Sequence, residues 1–137
     1  MEPVLQSFLA GAPVLLLHAG VTLAMAIFGV TLYVWITPQA EFTLIRQGNV
    51  AAAISLSGAI LGIGLPLAFC MAASFTVWDI VIWGTLTVAL QLAAFKAADL
   101  LLKGLPQRIE AGEIGPALVL TAIKLTVAAV NAAAVSG

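Results

Sequence analysis

Four long, strongly apolar stretches alternate with short polar ones along the chain. They lie at about residues 12–36, 49–73, 77–102 and 115–135. Each is long enough for a membrane-crossing α-helix, which needs about 20 mainly apolar residues. The pattern therefore predicts an all-α, polytopic membrane protein with four transmembrane helices.

The last of these stretches is the weakest, because Lys124 lies near its middle. A lysine at the centre of a membrane helix costs about 2.5–3.5 kcal/mol on insertion scales. If this stretch did not span the membrane, however, an apolar tail of about 20 residues would be left in water. We therefore interpret it as a fourth span.

Composition supports the membrane interpretation. The chain has 137 residues, of which 63% are hydrophobic and only 8% are charged, whereas about a quarter are charged in typical globular proteins. So few charges cannot cover the surface of a soluble domain, and we treat residues 1–137 as a single membrane domain. No basic patch with interleaved aromatic residues is present, which excludes a nucleic-acid partner. Cys70 is the single cysteine, so no intramolecular disulfide can form.

Residues at the edges of the apolar stretches carry helix-start signals. Thr76 and Asp79 have the spacing of a capping box for the third helix. Asn49 is a favourable N-cap for the second helix. Gly115 and Pro116 place a proline in the first turn of the fourth, where its missing N–H costs nothing.

Basic residues predict the orientation. Arg46, Lys103 and Arg108 lie in the connectors after the first and third spans, at residues 37–48 and 103–114, while the N-terminal segment, the second connector and the C-terminal end hold none. Because cytoplasmic loops are enriched in lysine and arginine, both connectors should be cytoplasmic. We therefore expect both termini to lie outside the cytoplasm, in a periplasmic or extracellular position.

The same two connectors resemble each other in sequence. Ile45 and Ile109, 64 residues apart, each begin a segment in which Ile, Gly, Ala and Leu recur. Two spans per unit would keep both copies in the same orientation, as in parallel repeats. We predict two tandem helical hairpins, at about residues 12–73 and 77–136, and a repeated loop motif. The motif comprises Gly48, Asn49, Gly112 and Glu113.

A set of short motifs extends from about Thr37 to Ser136. It comprises Pro38, Glu41, Leu44-Ile45-Arg46, Gly48-Asn49, Gly58-x-x-x-Gly62, Leu65-Pro66-Leu67, Asp79, Trp83-Gly84, Gln91-Leu92, Phe95, Asp99, Leu105-Pro106, Arg108-Ile109 and Asn131. In order and spacing the set resembles the bacterial inner-membrane family known as domain of unknown function 350. The resemblance implies a four-span protein without an established activity. It also implies relatives that are often encoded beside envelope-stress genes, including those of phage-shock-type coat proteins.

This chain departs from the family pattern at three positions. Glu113 replaces the asparagine of the second Gly-Asn pair, Lys124 stands where a small residue is usual, and Lys96 where an apolar residue is usual. The repeated asparagine is therefore present in the first copy of the motif and absent from the second.

Ionisable residues within the apolar stretches are candidate functional groups. Lys96, Asp99 and Lys103 share one helix face near the cytoplasmic end, where they form either a snorkelling anchor cluster or part of a site. Lys124 lies deeper and leans towards the cytoplasmic side, where Asp99 is the expected partner and Gln91 has a similar depth. Either a structural lysine–aspartate pair or a lined polar cavity would explain this arrangement.

Two further groups of residues within the predicted spans are candidates for specific contacts. His18 and Asn131 lie at comparable levels in the outer leaflet, where a hydrogen bond between them or to a backbone carbonyl is expected. His18 is the single histidine of the chain, so a haem would have only one possible axial histidine ligand. The second group is Gly58, Gly62, Gly64 and Pro66. These residues predict close helix packing with a kink or, alternatively, a broken helix with exposed carbonyls.

No catalytic arrangement, metal-ligand spacing or cofactor motif is present in the sequence, so we expect a protein that is not an enzyme. The first hypothesis is a membrane component of an envelope-stress-type system that engages cytoplasmic proteins through its two repeated connectors. The alternative is an oligomeric channel or transporter for an ion or small solute, which would use Lys124, Asp99, Gln91 and the stretch between Gly62 and Pro66. In either case we expect a homo-oligomer in the lipid bilayer.

Overall fold

A computed structural model describes residues 1–37 and 40–137, and all regular structure within them is helical. Four helices are long and apolar enough to cross a membrane: α1 (Glu2–Ile36), α3 (Val50–Ala73), α4 (Val77–Leu101) and α6 (Ile114–Ser136). Two short helices, α2 (Glu41–Arg46) and α5 (Leu105–Glu110), lie in the first and third connectors. The prediction of an all-α protein with four transmembrane helices is confirmed.

The predicted helix starts are observed at two of the three positions and shifted at the third. The Asn49 side chain accepts a hydrogen bond from the Ala52 N–H at 3.0 Å and caps α3. Thr76 and Asp79 form a complete capping box at the start of α4. Because α6 already begins at Ile114, Pro116 is its third residue, which is still within the first turn, where an N–H has no partner in the helix.

The two short connector helices end in the same way. Gly48 and Gly112 adopt φ angles of 84° and 88°, a left-handed conformation that costs glycine far less than other residues. Each glycine N–H donates to the carbonyl of the isoleucine three residues earlier, at 2.9 Å in both cases. The glycines thus end both connector helices, while the repeat of whole hairpins stays a prediction. Pro38, which belongs to the family motif set, lies outside the described residues.

Helix α3 is the centre of the bundle. It packs most extensively against α6 and also contacts α1 and α4. The main core cluster combines residues from α1, α3 and α4: Tyr33, Leu56, Ala59, Ile63, Leu67, Val88 and Phe95. A second cluster joins the connector side of α3 and α6 to α5: Ala51, Ile109, Ala117 and Leu120.

The glycines of α3 permit this close packing. A Cβ atom at Gly58 would lie 2.8 Å from Thr121 Cγ2 on α6, and one at Gly62 would lie 2.7 Å from Phe95 Cζ on α4. Gly64 has open space around it. Pro66 is buried, but α3 continues through it from Val50 to Ala73. The packing interpretation therefore holds within a single chain, and the broken-helix alternative is wrong.

Helix α1 is longer than the span predicted for it. It begins at Glu2 rather than near residue 12 and contains 35 residues, which corresponds to about 52 Å. Its large apolar side chains from Val4 to Leu17 are exposed, and its buried residues, Thr22, Gly29 and Tyr33, all lie in the other half. Only the C-terminal half of α1 is thus built into the bundle.

Candidate functional site

Lys124 is the most deeply buried charged side chain in the described residues, with 1% of its surface exposed. Its Nζ donates hydrogen bonds to the Tyr33 hydroxyl at 2.6 Å, to Ser55 Oγ at 3.1 Å and to the Ser55 carbonyl at 3.4 Å. Three acceptors match the three N–H donors of a lysine ammonium. The geometry therefore suits a charged Lys124 held inside the bundle.

Aromatic rings complete the surroundings of this ammonium. The Tyr33 ring centroid lies 4.7 Å from Lys124 Nζ, and the Phe95 ring centroid lies 5.6 Å from it. The two rings meet edge to face with their centroids 5.7 Å apart. Aromatic faces attract cations, and more strongly where water is excluded, so these rings replace part of the hydration that Lys124 has lost.

Tyr33 connects Lys124 to a carboxylate. Its hydroxyl donates to Glu41 Oε1 at 3.0 Å while it accepts from Lys124. Glu41, the first residue of α2, is only 2% exposed, and its Oε2 has no hydrogen-bond partner among the described residues. Burial raises the pKa of the Glu41 carboxyl, although the nearby Lys124 ammonium acts in the opposite direction. We refer to Tyr33, Glu41, Ser55 and Lys124 as the Lys124 network.

A second set of polar contacts follows further along α4 and α6. Gln91, fully buried, donates from Nε2 to the Lys124 carbonyl at 3.4 Å. The Asn131 amide donates to Gln91 Oε1 and to the Thr87 carbonyl, both at 3.2 Å. The buried polar groups thus form one row, which runs from Glu41 at the connector side to Asn131 near the end of α6.

The partner predicted for Lys124 is wrong. No salt bridge joins Lys124 to Asp99 in the described part of the chain, and the observed hydrogen bonds go to Tyr33 and Ser55 instead. Asp99 is half-buried on α4, two residues before the end of the helix at Leu101. Lys124 points to the junction of α1, α2 and α3, and the carboxylate found there is that of Glu41.

The other predicted site residues are more dispersed. Lys96 is exposed, and its Nζ lies 3.5 Å from the Ile36 carbonyl. Lys103 follows the end of α4 and is exposed, so it does not continue the helix face of Lys96 and Asp99. His18 is half-buried in the middle of α1, and the Asn131 side chain bonds to Gln91 and Thr87 rather than to His18.

The two connectors are joined by Asn49. Its Nδ2 donates to the carbonyls of Ile109 and Glu110 at the end of α5, both at 3.1 Å, while its Oδ1 caps α3. Glu113, which occupies the equivalent place in the second connector, instead accepts two hydrogen bonds from Arg108, at 2.9 and 3.1 Å. The Arg108 guanidinium holds the pKa of the Glu113 carboxyl below its usual range.

A cavity of about 660 Å³ lies where α1 meets α2. Glu41 lines it together with three threonines, Thr31, Thr37 and Thr43, and with apolar side chains such as Val34. Glu41, which is 2% exposed, therefore forms part of the wall of this cavity.

Tyr33, Glu41 and Ser55 were not predicted as site residues from the sequence. A signal for Glu41 existed, because it shares a helical face with Leu44 and Ile45, which are half-buried. A carboxylate on the apolar face of a short amphipathic helix needs a buried partner. Ser55 and Tyr33 carried no comparable signal, since single hydroxyls are common in membrane helices.

The arrangement can bind and exchange protons, and it holds no cluster of three or more His, Cys, Asp or Glu side chains suited to a metal ion among the described residues. Four apolar helices around buried polar groups define a multi-pass α-helical membrane protein. The family model described as Domain of Unknown Function (DUF350) matches residues 7–135, so the chain belongs to this family.

Curated relatives place the family in a membrane. The chain is 33% identical over 86 residues to the UPF0719 inner membrane protein YjfL of Escherichia coli strain K12, and equally to that of Escherichia coli O157:H7. The match covers 63% of this chain and 65% of each relative, so the chain spans somewhat less than two thirds of their length. No solved structure gives a significant match.

Proposed function

We propose that this protein is a non-enzymatic membrane component that presents its two connectors to a cytoplasmic protein as one surface. The contact that carries the proposal is the pair of hydrogen bonds from Asn49 to the Ile109 and Glu110 carbonyls. These bonds cross between segments that are 60 and 61 residues apart in sequence. They hold the end of α5 against the start of α3, so the connectors form a single unit.

The exposed side of this unit suits protein recognition. The exposed charged residues of the two connectors are Arg46, Lys103, Arg108, Glu110 and Glu113. Exposed charges of both signs suit the polar, solvent-accessible rim of a transient protein interface. The resemblance of the chain to relatives encoded beside envelope-stress genes supports a partner from such a system.

Site-specific photo-crosslinking in intact cells tests this proposal. A photoreactive amino acid at Gln47 or Gln107, both exposed, should form an adduct with the same cytoplasmic protein. The control is Phe75, exposed in the connector between α3 and α4, where that adduct should be absent. If positions 47 and 107 give no adduct, or capture the same proteins as position 75, the proposal is wrong.

Transport by an oligomer is the second candidate function. The observation that favours it is the row of buried polar groups from Glu41 to Asn131. Lys124 and Gln91 are 1% and 0% exposed within one chain, so a solute path along them would require the helices to rearrange within an oligomer. Light scattering of the detergent-solubilised protein should then show an oligomer, and proteoliposomes should show ion flux. A monomer without flux would exclude this candidate.

A further inference from the structure

Three titratable side chains meet in the interior of the bundle. Lys124 on α6, Tyr33 on α1 and Glu41 on α2 are each at most 2% exposed. Two hydrogen bonds, of 2.6 and 3.0 Å, connect them in series. The hydroxyl in the middle is both acceptor and donor, which is the arrangement through which a proton can pass.

We propose that Lys124, Tyr33 and Glu41 form a proton-exchange site that communicates with water on the connector side. In the exchange step Lys124 gives one N–H proton to the Tyr33 oxygen, while the Tyr33 O–H proton moves to Glu41 Oε1. The products are a neutral lysine amine, an unchanged tyrosine and a neutral carboxylic acid. No electron is transferred, and this internal step conserves protons. The number of bound protons changes with pH only when water on the connector side gives a proton to the Glu41 carboxylate or takes one from the Glu41 carboxylic acid.

The surroundings have opposing effects on the two protonation states. Burying an ammonium and a carboxylate costs several kcal/mol per ion, which favours the neutral pair. The Ser55 oxygens and two aromatic rings stabilise the ammonium, which favours the charged pair. Glu41 Oε2 has no hydrogen-bond partner among the described residues. A missing partner costs less free energy when the carboxyl is neutral than when it is charged. Neither form therefore has all of the stabilising contacts.

The nearest route to water is on the connector side. A cavity of about 660 Å³ between α1 and α2 is lined by Glu41, by three threonines and by apolar side chains such as Trp35. Glu41 forms part of its wall with 2% of the residue exposed, and the proposed exchange with water takes place there. The side-chain amides of Gln91 and Asn131 lie on the opposite side of Lys124, and amides do not titrate.

The remaining charges near the site are on α4. Asp99 is half-buried and acts electrostatically on both Glu41 and Lys124. Lys96, three residues earlier and exposed, acts on Asp99. Neither forms a hydrogen bond to the Lys124 network among the described residues, so both act by charge alone.

Infrared spectroscopy can observe this site directly, because Tyr33 is the single tyrosine of the chain. The full-length protein, with ring-¹³C-tyrosine, would be placed in lipid nanodiscs and titrated from about pH 4 to about pH 10, a range that spans ordinary carboxyl and amine pKa values. We expect the stretch of a protonated carboxyl and the labelled tyrosine bands to change together, with one midpoint.

Variants assign these bands. Glu41→Gln should abolish the carboxyl band and the accompanying tyrosine change, whereas Glu110→Gln, at an exposed connector carboxylate, should leave both intact. Tyr33→Phe keeps the ring packing and removes only the bridging hydroxyl. It should move the midpoint of the Glu41 carboxyl band by one pH unit or more, about a tenfold change in proton affinity.

Two outcomes would overturn the proposal. One is a tyrosine spectrum that stays constant across the titration. The other is a carboxyl band that persists unchanged in Glu41→Gln. If Glu41→Gln does not fold, Tyr33→Phe decides the matter, because an unchanged midpoint in that variant would show that the hydroxyl does not couple the two groups.

Discussion

The ammonium of Lys124 and the hydroxyl of Tyr33 are joined by a hydrogen bond of 2.6 Å across 91 residues of sequence. This bond connects the last transmembrane helix to the first. It also places Lys124 one hydroxyl group away from Glu41. The charge that weakens the fourth span as a membrane helix is therefore balanced by a carboxylate outside the four spans.

Lys124→Met should destabilise the protein, because Glu41 would then be a buried carboxylate without a cation. Breaking a direct buried ion pair costs about 3–5 kcal/mol, and the loss here should be smaller because Tyr33 separates the two groups. Adding Glu41→Gln should restore part of this loss, since no charge is then left unpaired. Adding Asp99→Ala instead should restore less. Thermal unfolding in detergent measures the three variants, and equal recovery with Asp99→Ala would contradict the assignment of Glu41 as the partner.

Gly62→Ala should destabilise the bundle, because the new methyl group would lie 2.7 Å from Phe95 Cζ. Overpacking of this kind costs about 1–3 kcal/mol. The matched control is Gly64→Ala on the same helix, where no neighbouring atom lies within 4 Å, and it should be neutral or slightly stabilising. Unfolding midpoints compare the two, and similar midpoints would argue against tight contact between α3 and α4 at Gly62.

Asn49→Ser should separate the two roles of Asn49. Serine still caps α3, whereas its side chain is too short to reach the Ile109 and Glu110 carbonyls. Stability should change little, since serine and asparagine are similar N-caps, but the amide protons of α5 should exchange faster with deuterated water. Hydrogen-exchange mass spectrometry of the α5 peptide is the measurement. Unchanged exchange would mean that Asn49 does not hold the connectors together.

The orientation of the chain is testable with cysteines in a Cys70→Ala background. We expect single cysteines at Gln47 and Gln107 to be protected from an impermeant thiol reagent in intact cells, and one at Gly137 to react, because Arg46, Lys103 and Arg108 mark the cytoplasmic connectors. Labelling after membrane disruption shows that all three positions can react. The reverse pattern in intact cells would invert the topology.

The sequence predicted most of the fold because its signals are local. Span length depends on how many consecutive residues are apolar, and the cap residues Asn49 and Thr76 lie beside the helices that they start. The left-handed glycines Gly48 and Gly112 act within a few residues as well. Each of these features was recognisable without knowledge of which helices touch.

The candidate site was harder to predict, because it depends on helix rotation and on distant pairs. Depth in the membrane suggested Asp99 as the partner of Lys124, but depth does not tell which face of α6 carries the lysine. The observed partners come from three other elements, at Tyr33, Glu41 and Ser55. Gln91 was predicted to lie at a depth similar to that of Lys124. Its side chain contacts the backbone carbonyl of Lys124 rather than the amine.

The length of α1 has a consequence for the membrane itself. A straight helix of about 52 Å is longer than the distance of about 40–45 Å between bilayer surfaces, and such a helix is accommodated by tilting, by kinking or by local thickening of the bilayer. The other three long helices have 23 to 25 residues and do not share this hydrophobic mismatch. Because α1 carries Tyr33, bilayer thickness is one of the quantities that determine the inclination of the helix that reaches Lys124.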